Sequence, residues 1–200
     1  MGYSREFRQA GFGEWGRKMQ TDLSDGLAAL AKDGIVDPKR ACIVGASYGG
    51  YAALAGVTLQ HGLYRCAVAV AGPSDLPLFF SWQSVRHGDK SDATRYWRAI
   101  VGADKGGDSV MRDLSPARLA DRADAPILLI HGKDDTVVPI EQSEAMAKAL
   151  KHADKPFEYV VMNGEDHWLS RENTRLTMLK SALAFVEKYD PPDAAPATPN

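Results

Sequence analysis

Three short stretches hold the residue types and spacings that could do chemistry. Gly45-Ala46-Ser47-Tyr48-Gly49-Gly50 sets a serine two positions from a glycine on each side. That is the spacing of a nucleophile elbow, in which a serine sits on a sharp turn between a strand and a helix. The flanking glycines are expected to give strand and helix room for close approach. The helix that follows favours developing negative charge, and the backbone N–H of Tyr48 is the expected oxyanion donor. A serine hydroxyl is a weak nucleophile until a base takes its proton. Of the five histidines, His61 and His152 fall near helix ends and His87 in a charged loop. His131 closes an apolar run, an orienting or structural position. His167, in Asn163-Gly164-Glu165-Asp166-His167-Trp168, lies between the last strand pattern and the last helix pattern, and is the expected base. A carboxylate should hold its imidazole in the right tautomer. The stretch His131-Gly132-Lys133-Asp134-Asp135-Thr136-Val137-Val138-Pro139 offers Asp134 and Asp135, and composition does not choose between them. Asp75 is a more distant third, and Asp166 reads as a turn residue. Together these groups spell acyl transfer, that is, hydrolysis of a peptide, amide or ester. No His/Cys/Asp cluster has ligand spacing, so neither metal nor cofactor is expected.

The elements that must position these residues follow from the apolar pattern. Met19 to Ala31 reads as a helix with Met19, Leu23, Leu27 and Leu30 on one face. Arg40 to Ala46, Arg65 to Ala71, Pro126 to His131 and Phe157 to Met162 read as four short buried strands. Tyr48 to Gln60, Ile140 to Lys151 and Asn173 to Tyr189 read as helices, the last with Leu176, Leu179, Leu183 and Val186 on its apolar face. Gly2 to Trp15 reads as loop. Gly72 to Ala125 reads as long and irregular, with helical pieces such as Ala93 to Val101. Strands alternating with helices predict an α/β fold, a mostly parallel sheet covered on both faces. Ser47, the acid and His167 each follow a strand, on the carboxyl edge where such sheets place their sites. Cys42 and Cys66 fall in buried strands and read as packing residues.

Composition narrows the partners. The chain has 200 residues and a net charge of −2, which gives no electrostatic case for nucleic acid or an anionic membrane. Hydrophobic residues at 44% and charged residues at 25% are those of a globular domain, so wholesale disorder is excluded. No apolar run approaches the ~20 residues that span a bilayer. The first twenty residues hold Arg5, Glu6, Arg8, Glu14, Arg17 and Lys18, unlike a signal peptide, which leaves the cytoplasm as the default compartment. One partial domain is expected over 1–189, then a disordered Pro/Ala-rich tail over 190–200.

The order serine, acid, histidine is that of α/β-hydrolases. Gly45 to Tyr51, Pro126 to Pro139 with Glu141-Gln142-Ser143, and Gly164 to Leu169 together resemble the catalytic domain of the prolyl oligopeptidase family of serine peptidases. The likeness is to its dipeptidyl-peptidase and acylaminoacyl-peptidase side. The opening Gly2 to Phe7, Gly13-Glu14-Trp15-Gly16 and Asp22-Leu23-Ser24-Asp25 look like that family too. The resemblance covers about residues 2 to 189. Its pattern of His-Gly, two residues, Asp, two residues, Val places the acid at Asp135. The implied triad is Ser47, Asp135 and His167.

The resemblance also implies earlier sheet strands, an N-terminal β-propeller and a second oxyanion donor upstream of these residues. The residues themselves agree that only one strand precedes Ser47, so the N-terminal strands of a hydrolase sheet are missing. The strand with Cys42, Ile43 and Val44 is then an edge, apolar on both faces, that invites pairing with another chain. A C-terminal fragment, a truncated product or a subunit needing a partner is expected. Loss of one oxyanion donor typically lowers turnover by about 10²–10³. The expected substrate is a peptide. Leu76, Phe79, Phe80, Tyr48 and Val138 are candidates for an apolar pocket, while core packing of Phe79, Phe80 and Trp82 is the alternative. A small carboxylesterase or an inactive assembly fragment are the competing functions.

Overall fold

The computed structural model describes residues 3–193, apart from the side chains of 104–108. The expected tail lies outside the described residues from 194 onward. Four strands, β1 (Cys42–Ala46), β2 (Cys66–Val70), β3 (Ile127–Gly132) and β4 (Phe157–Met162), form one sheet in the order β1-β2-β3-β4. Every neighbouring pair is parallel. β2 and β3 are central and buried along their whole length, which is why their sequences are continuously apolar rather than alternating.

Helices cover both faces. α1 (Arg5–Ala10) and α2 (Lys18–Lys32) precede the sheet, and α3 (Tyr48–Thr58) follows β1. α4 (Leu76–His87), α5 (Asp92–Val101), α6 (Ala103–Asp113) and a 3-10 segment (Pro116–Arg122) fill the connection from β2 to β3. α7 (Glu141–His152) and α8 (Glu172–Tyr189) follow β3 and β4. On one face Leu54 and Val57 of α3 pack with Ile127 and Leu129 of β3 and with Met146 and Leu150 of α7. On the other, Val68, Leu128 and Ile130 pack against Ala182 and Phe185 of α8. A third cluster, around Trp15, Tyr51, Phe79 and Met111, joins α3 to the β2–β3 connection. Among the described residues no helix is long and apolar enough to cross a membrane.

Several local expectations are corrected. Residues 5–10 are helix rather than loop, because the Ser4 hydroxyl accepts from the Phe7 N–H and caps the first turn. The β2–β3 connection is largely helical. Asp75 caps α4 and Ser91 caps α5. Pro77 falls in the first turn of α4, where its missing N–H is no loss. The leucine stripes on α2 and α8 face outward. Leu23 and Leu30 are 45% and 44% exposed, and Leu176, Leu179 and Leu183 are 49%, 59% and 59% exposed. α8 buries Ala182 and Phe185 in their place. Cys42 and Cys66 do more than pack. The parallel register sets them side by side with Cα atoms 4.7 Å apart, and they are joined by a disulfide.

Candidate active site

The sharp turn after β1 is built from backbone contacts. Ser47 has φ 57° and ψ −119°, a left-handed value rare for a residue with a side chain. Its N–H donates to the Val70 carbonyl at 2.8 Å, and its carbonyl accepts from the Tyr51 N–H at 3.1 Å. The turn is thus pinned to β2 on one side and to α3 on the other. A Cβ on Gly45 would lie 2.3 Å from the Gly49 carbonyl oxygen, so the turn cannot close with any other residue there. The second tight approach is not at Gly49, where a Cβ would meet nothing within 4 Å. It is at Gly50, whose Cβ would stand 2.8 Å from both Gly72 Cα and the Val70 oxygen. Glycine at 49 leaves open space rather than allowing the strand–helix contact. Tyr48 N–H is the first amide of α3, where helix geometry provides no intrahelical acceptor.

Asp135 follows β3 and is buried. One carboxylate oxygen, Oδ1, accepts from the Val137 and Val138 amides at 2.8 and 2.9 Å. The other, Oδ2, lies 2.7 Å from His167 Nδ1 and 3.3 Å from His131 Nε2. Burial pushes this carboxyl up, but the hydrogen bonds from His131, His167, Val137 and Val138 outweigh it and hold the group well below the usual carboxylate range. Asp134 is exposed. Asp75 pairs with Arg118 at 3.0 Å, and Asp166 accepts from the Trp168 N–H, so each has a local role.

His167 follows β4 on a loop whose brace the sequence did not disclose. Glu165 is buried, and its carboxylate accepts from the amides of Asp166, Ser170 and Arg171 and from the Thr174 hydroxyl. Its own carbonyl accepts from the Asp134 N–H at 3.0 Å, which ties the histidine loop to the acid loop. Gly132 permits the contact, since a Cβ there would come within 2.5 Å of the Glu165 carbonyl oxygen. The only signal in the sequence was a glutamate two residues from the histidine, and neighbouring carboxylates in loops are common.

The loops bring together Ser47 and His167, 120 positions apart in the chain, with Nε2 3.0 Å from the serine Oγ. Because Nδ1 faces a carboxylate, it holds the proton, and Nε2 is free to accept from the hydroxyl. Leu76, Phe79, Phe80 and Val138 are buried in one cluster, with Tyr48, Val137 and Trp97 half-buried against it. Burial pushes the Tyr48 phenol up to about 12, with Asp22 adding to it, and its ring packs against Trp15 and Tyr51. His61 stands 3.5 Å from Asp124, away from this constellation.

A family model, the prolyl oligopeptidase family, matches residues 1–190. The chain belongs to the prolyl oligopeptidase family. It is 32% identical over 187 residues to dipeptidyl aminopeptidase BIII of Pseudoxanthomonas mexicana, covering 87% of this chain and 25% of that protein. It superposes on a puromycin-hydrolyzing peptidase of Mycobacterium tuberculosis with a TM-score of 0.85 at 33% identity, over 95% of this chain and 28% of that one. A Pyrococcus horikoshii acylaminoacyl peptidase shares the fold at a TM-score of 0.82 and 24% identity, over 98% of this chain and 32% of its own. The chain thus spans about a quarter to a third of the length of these proteins. The parallel α/β sheet expected from the strand–helix alternation, and the α/β-hydrolase type implied by the chain order and the resemblance, are those of these peptidases, and their names accord with the serine-hydrolase class expected from the motifs. Among the described residues no group of three or more His, Cys, Asp and Glu is placed to hold a metal ion.

Proposed function

We propose that this chain carries the acyl-transfer centre of a serine peptidase. The observation that supports this most is the unbroken line from Ser47 Oγ through His167 to Asp135, with contacts of 3.0 and 2.7 Å. In the proposed reaction Ser47 Oγ attacks the substrate carbonyl carbon as its proton passes to His167 Nε2. The carbonyl oxygen becomes an oxyanion facing the Tyr48 N–H. Asp135 stays ionised and stabilises the imidazolium. His167 then returns the proton to the leaving amine, the C–N bond breaks, and an acyl-enzyme remains. Water repeats the sequence and frees the acid. Leu76, Phe79, Phe80 and Val138 are 0%, 2%, 4% and 3% exposed, which favours the core-packing alternative: they back the site from within the core rather than meet the residue before the scissile bond directly. Tyr48, Val137 and Trp97, half-buried against that cluster, have surface still to offer a ligand.

A fluorophosphonate probe tests this reading directly. The folded chain should be labelled, and Ser47→Ala should not. Absence of labelling on folded protein would reject it. Comparison of acyl-ester with aminoacyl-amide substrates separates a peptidase from a carboxylesterase, since only the former should turn over the amide well.

A second reading, self-association, is favoured by the edge of the sheet. Among the described residues β1 pairs on one side only, and Val44 in its middle is 54% exposed. An unpaired apolar strand of this kind is a template for another chain.

A further inference from the structure

We propose that His131 is a positioning residue for the acid of this site, a second ring whose Nε2–H donates to the Val138 carbonyl and lies against Asp135 Oδ2, steadying the carboxylate for His167. The inference rests on the peptidase reading for its purpose, but its physical content stands on contacts around one ring.

His131 is fully buried. Its Nε2 lies 2.9 Å from the Val138 carbonyl oxygen and 3.3 Å from Asp135 Oδ2. Both neighbours are acceptors. A lone pair on Nε2 would face two oxygen lone pairs in a fully buried position, so the proton is placed there. The other nitrogen, Nδ1, lies 2.7 Å from the Ser143 hydroxyl, and Ser143 is itself buried in the first turn of α7. A hydroxyl can donate to Nδ1, and in doing so it fixes the neutral Nε2–H tautomer.

Asp135 is therefore held at every corner. Two amides occupy Oδ1, and two imidazoles bracket Oδ2. The carboxylate cannot rotate without breaking several contacts, so the direction it presents to His167 is set before substrate arrives. The His131 proton also draws on the charge that Asp135 offers His167. Removing it should make the carboxylate a stronger partner for an imidazolium. The charged groups on the surrounding elements are engaged elsewhere. Lys133 and Asp134 on the acid loop are exposed. Glu165 and Asp166 on the histidine loop accept from nearby amides. Glu141 and Glu144 of α7 act on Tyr159 of β4. Asp75 is paired with Arg118.

Ring-nitrogen NMR of the ¹⁵N-labelled parent chain is the first test. His131 should show the Nε2–H tautomer, and an Nδ1–H tautomer overturns the proposal. The second test follows the His167 ring against pH in the parent, His131→Leu and His131→Gln. Leucine removes the donor, while glutamine restores an N–H at about the reach of Nε2. The titration midpoint should move up by about half a pH unit in His131→Leu and return toward the parent in His131→Gln. One shared midpoint in all three rejects the proposal, because a residue that merely fills space would leave it unmoved. Should His131→Leu not fold, the parent tautomer decides. These spectra need no turnover. Fluorophosphonate labelling of the same samples reports separately on Ser47, so failure of the peptidase reading is distinguishable from failure of this one.

Discussion

At Asp135 a buried carboxylate accepts from two amides and from His167, with the His131 ring beside it, and two outcomes follow from that one residue. The first is chemical. Asp135→Asn preserves the size of the side chain, but with its oxygen kept by the Val137 and Val138 amides it turns an NH2 donor toward His167 Nδ1, which favours the wrong tautomer of His167. Amide hydrolysis should fall by about 10⁴-fold, measured as kcat at saturating substrate. The second is thermodynamic. The folded-state carboxyl is held below its ordinary value, so its ionised form contributes stability that is fully present above the unfolded pKa of about 4. That contribution is lost as pH falls through the folded value. Thermal unfolding followed from about pH 5 downward should show the parent losing stability faster than Asp135→Asn, which has no proton to take up. Parallel curves for the two proteins would contradict the assignment.

Among elements, the turn between β1 and α3 depends on two glycine contacts of different kinds. Gly50→Ala drives a Cβ to within 2.8 Å of the Gly72 backbone and the Val70 oxygen, where nothing flexible can give way. It should destabilise the fold by about 1–3 kcal/mol, read by chemical denaturation. Gly49→Ala meets open space and should leave stability within about 0.5 kcal/mol of the parent. The opposite ranking would mean that the elbow closes differently. The disulfide acts on the same strand. Cys42 and Cys66 are 24 positions apart and tie the edge strand, which carries Ser47, to the centre of the sheet. Reduction should remove about 3 kcal/mol of stability by freeing that loop in the unfolded chain. Non-reducing peptide mapping checks the bond itself.

On the scale of the whole molecule, several large apolar side chains among the described residues are exposed. Val44 on the edge strand, Leu23 and Leu30 on α2, and Leu176, Leu179 and Leu183 on α8 are all substantially exposed. Beside α1 and α2 lies a recess of about 970 Å³ that reaches Tyr48. Size-exclusion chromatography at several concentrations should show association. Val44→Lys, a charge on the open edge, should shift the chain toward monomer while leaving its fold intact. A parent chain that stays monomeric at all concentrations would remove the case for this surface.

The residue sequence by itself determined the four strands, their parallel direction on an α/β plan, and the places where chemistry is grouped. Those are local properties. Apolar runs such as Cys66–Val70 and Ile127–Gly132 announce burial on both faces, and a glycine-flanked serine between a strand and a helix announces a turn. Asp135 was separated from Asp134 only by likeness to a family pattern, because adjacent carboxylates in a loop look the same until a partner is fixed. Tertiary structure alone decided that Glu165 braces the histidine loop, that His131 reaches the same carboxylate as His167, and that the cysteines meet. It also turned the leucine faces of α2 and α8 outward, against their periodicity. Each of these depends on which side chains lie across from one another after the sheet has formed. Sequence spacing encodes a residue's own face and turn, but it does not encode what stands opposite.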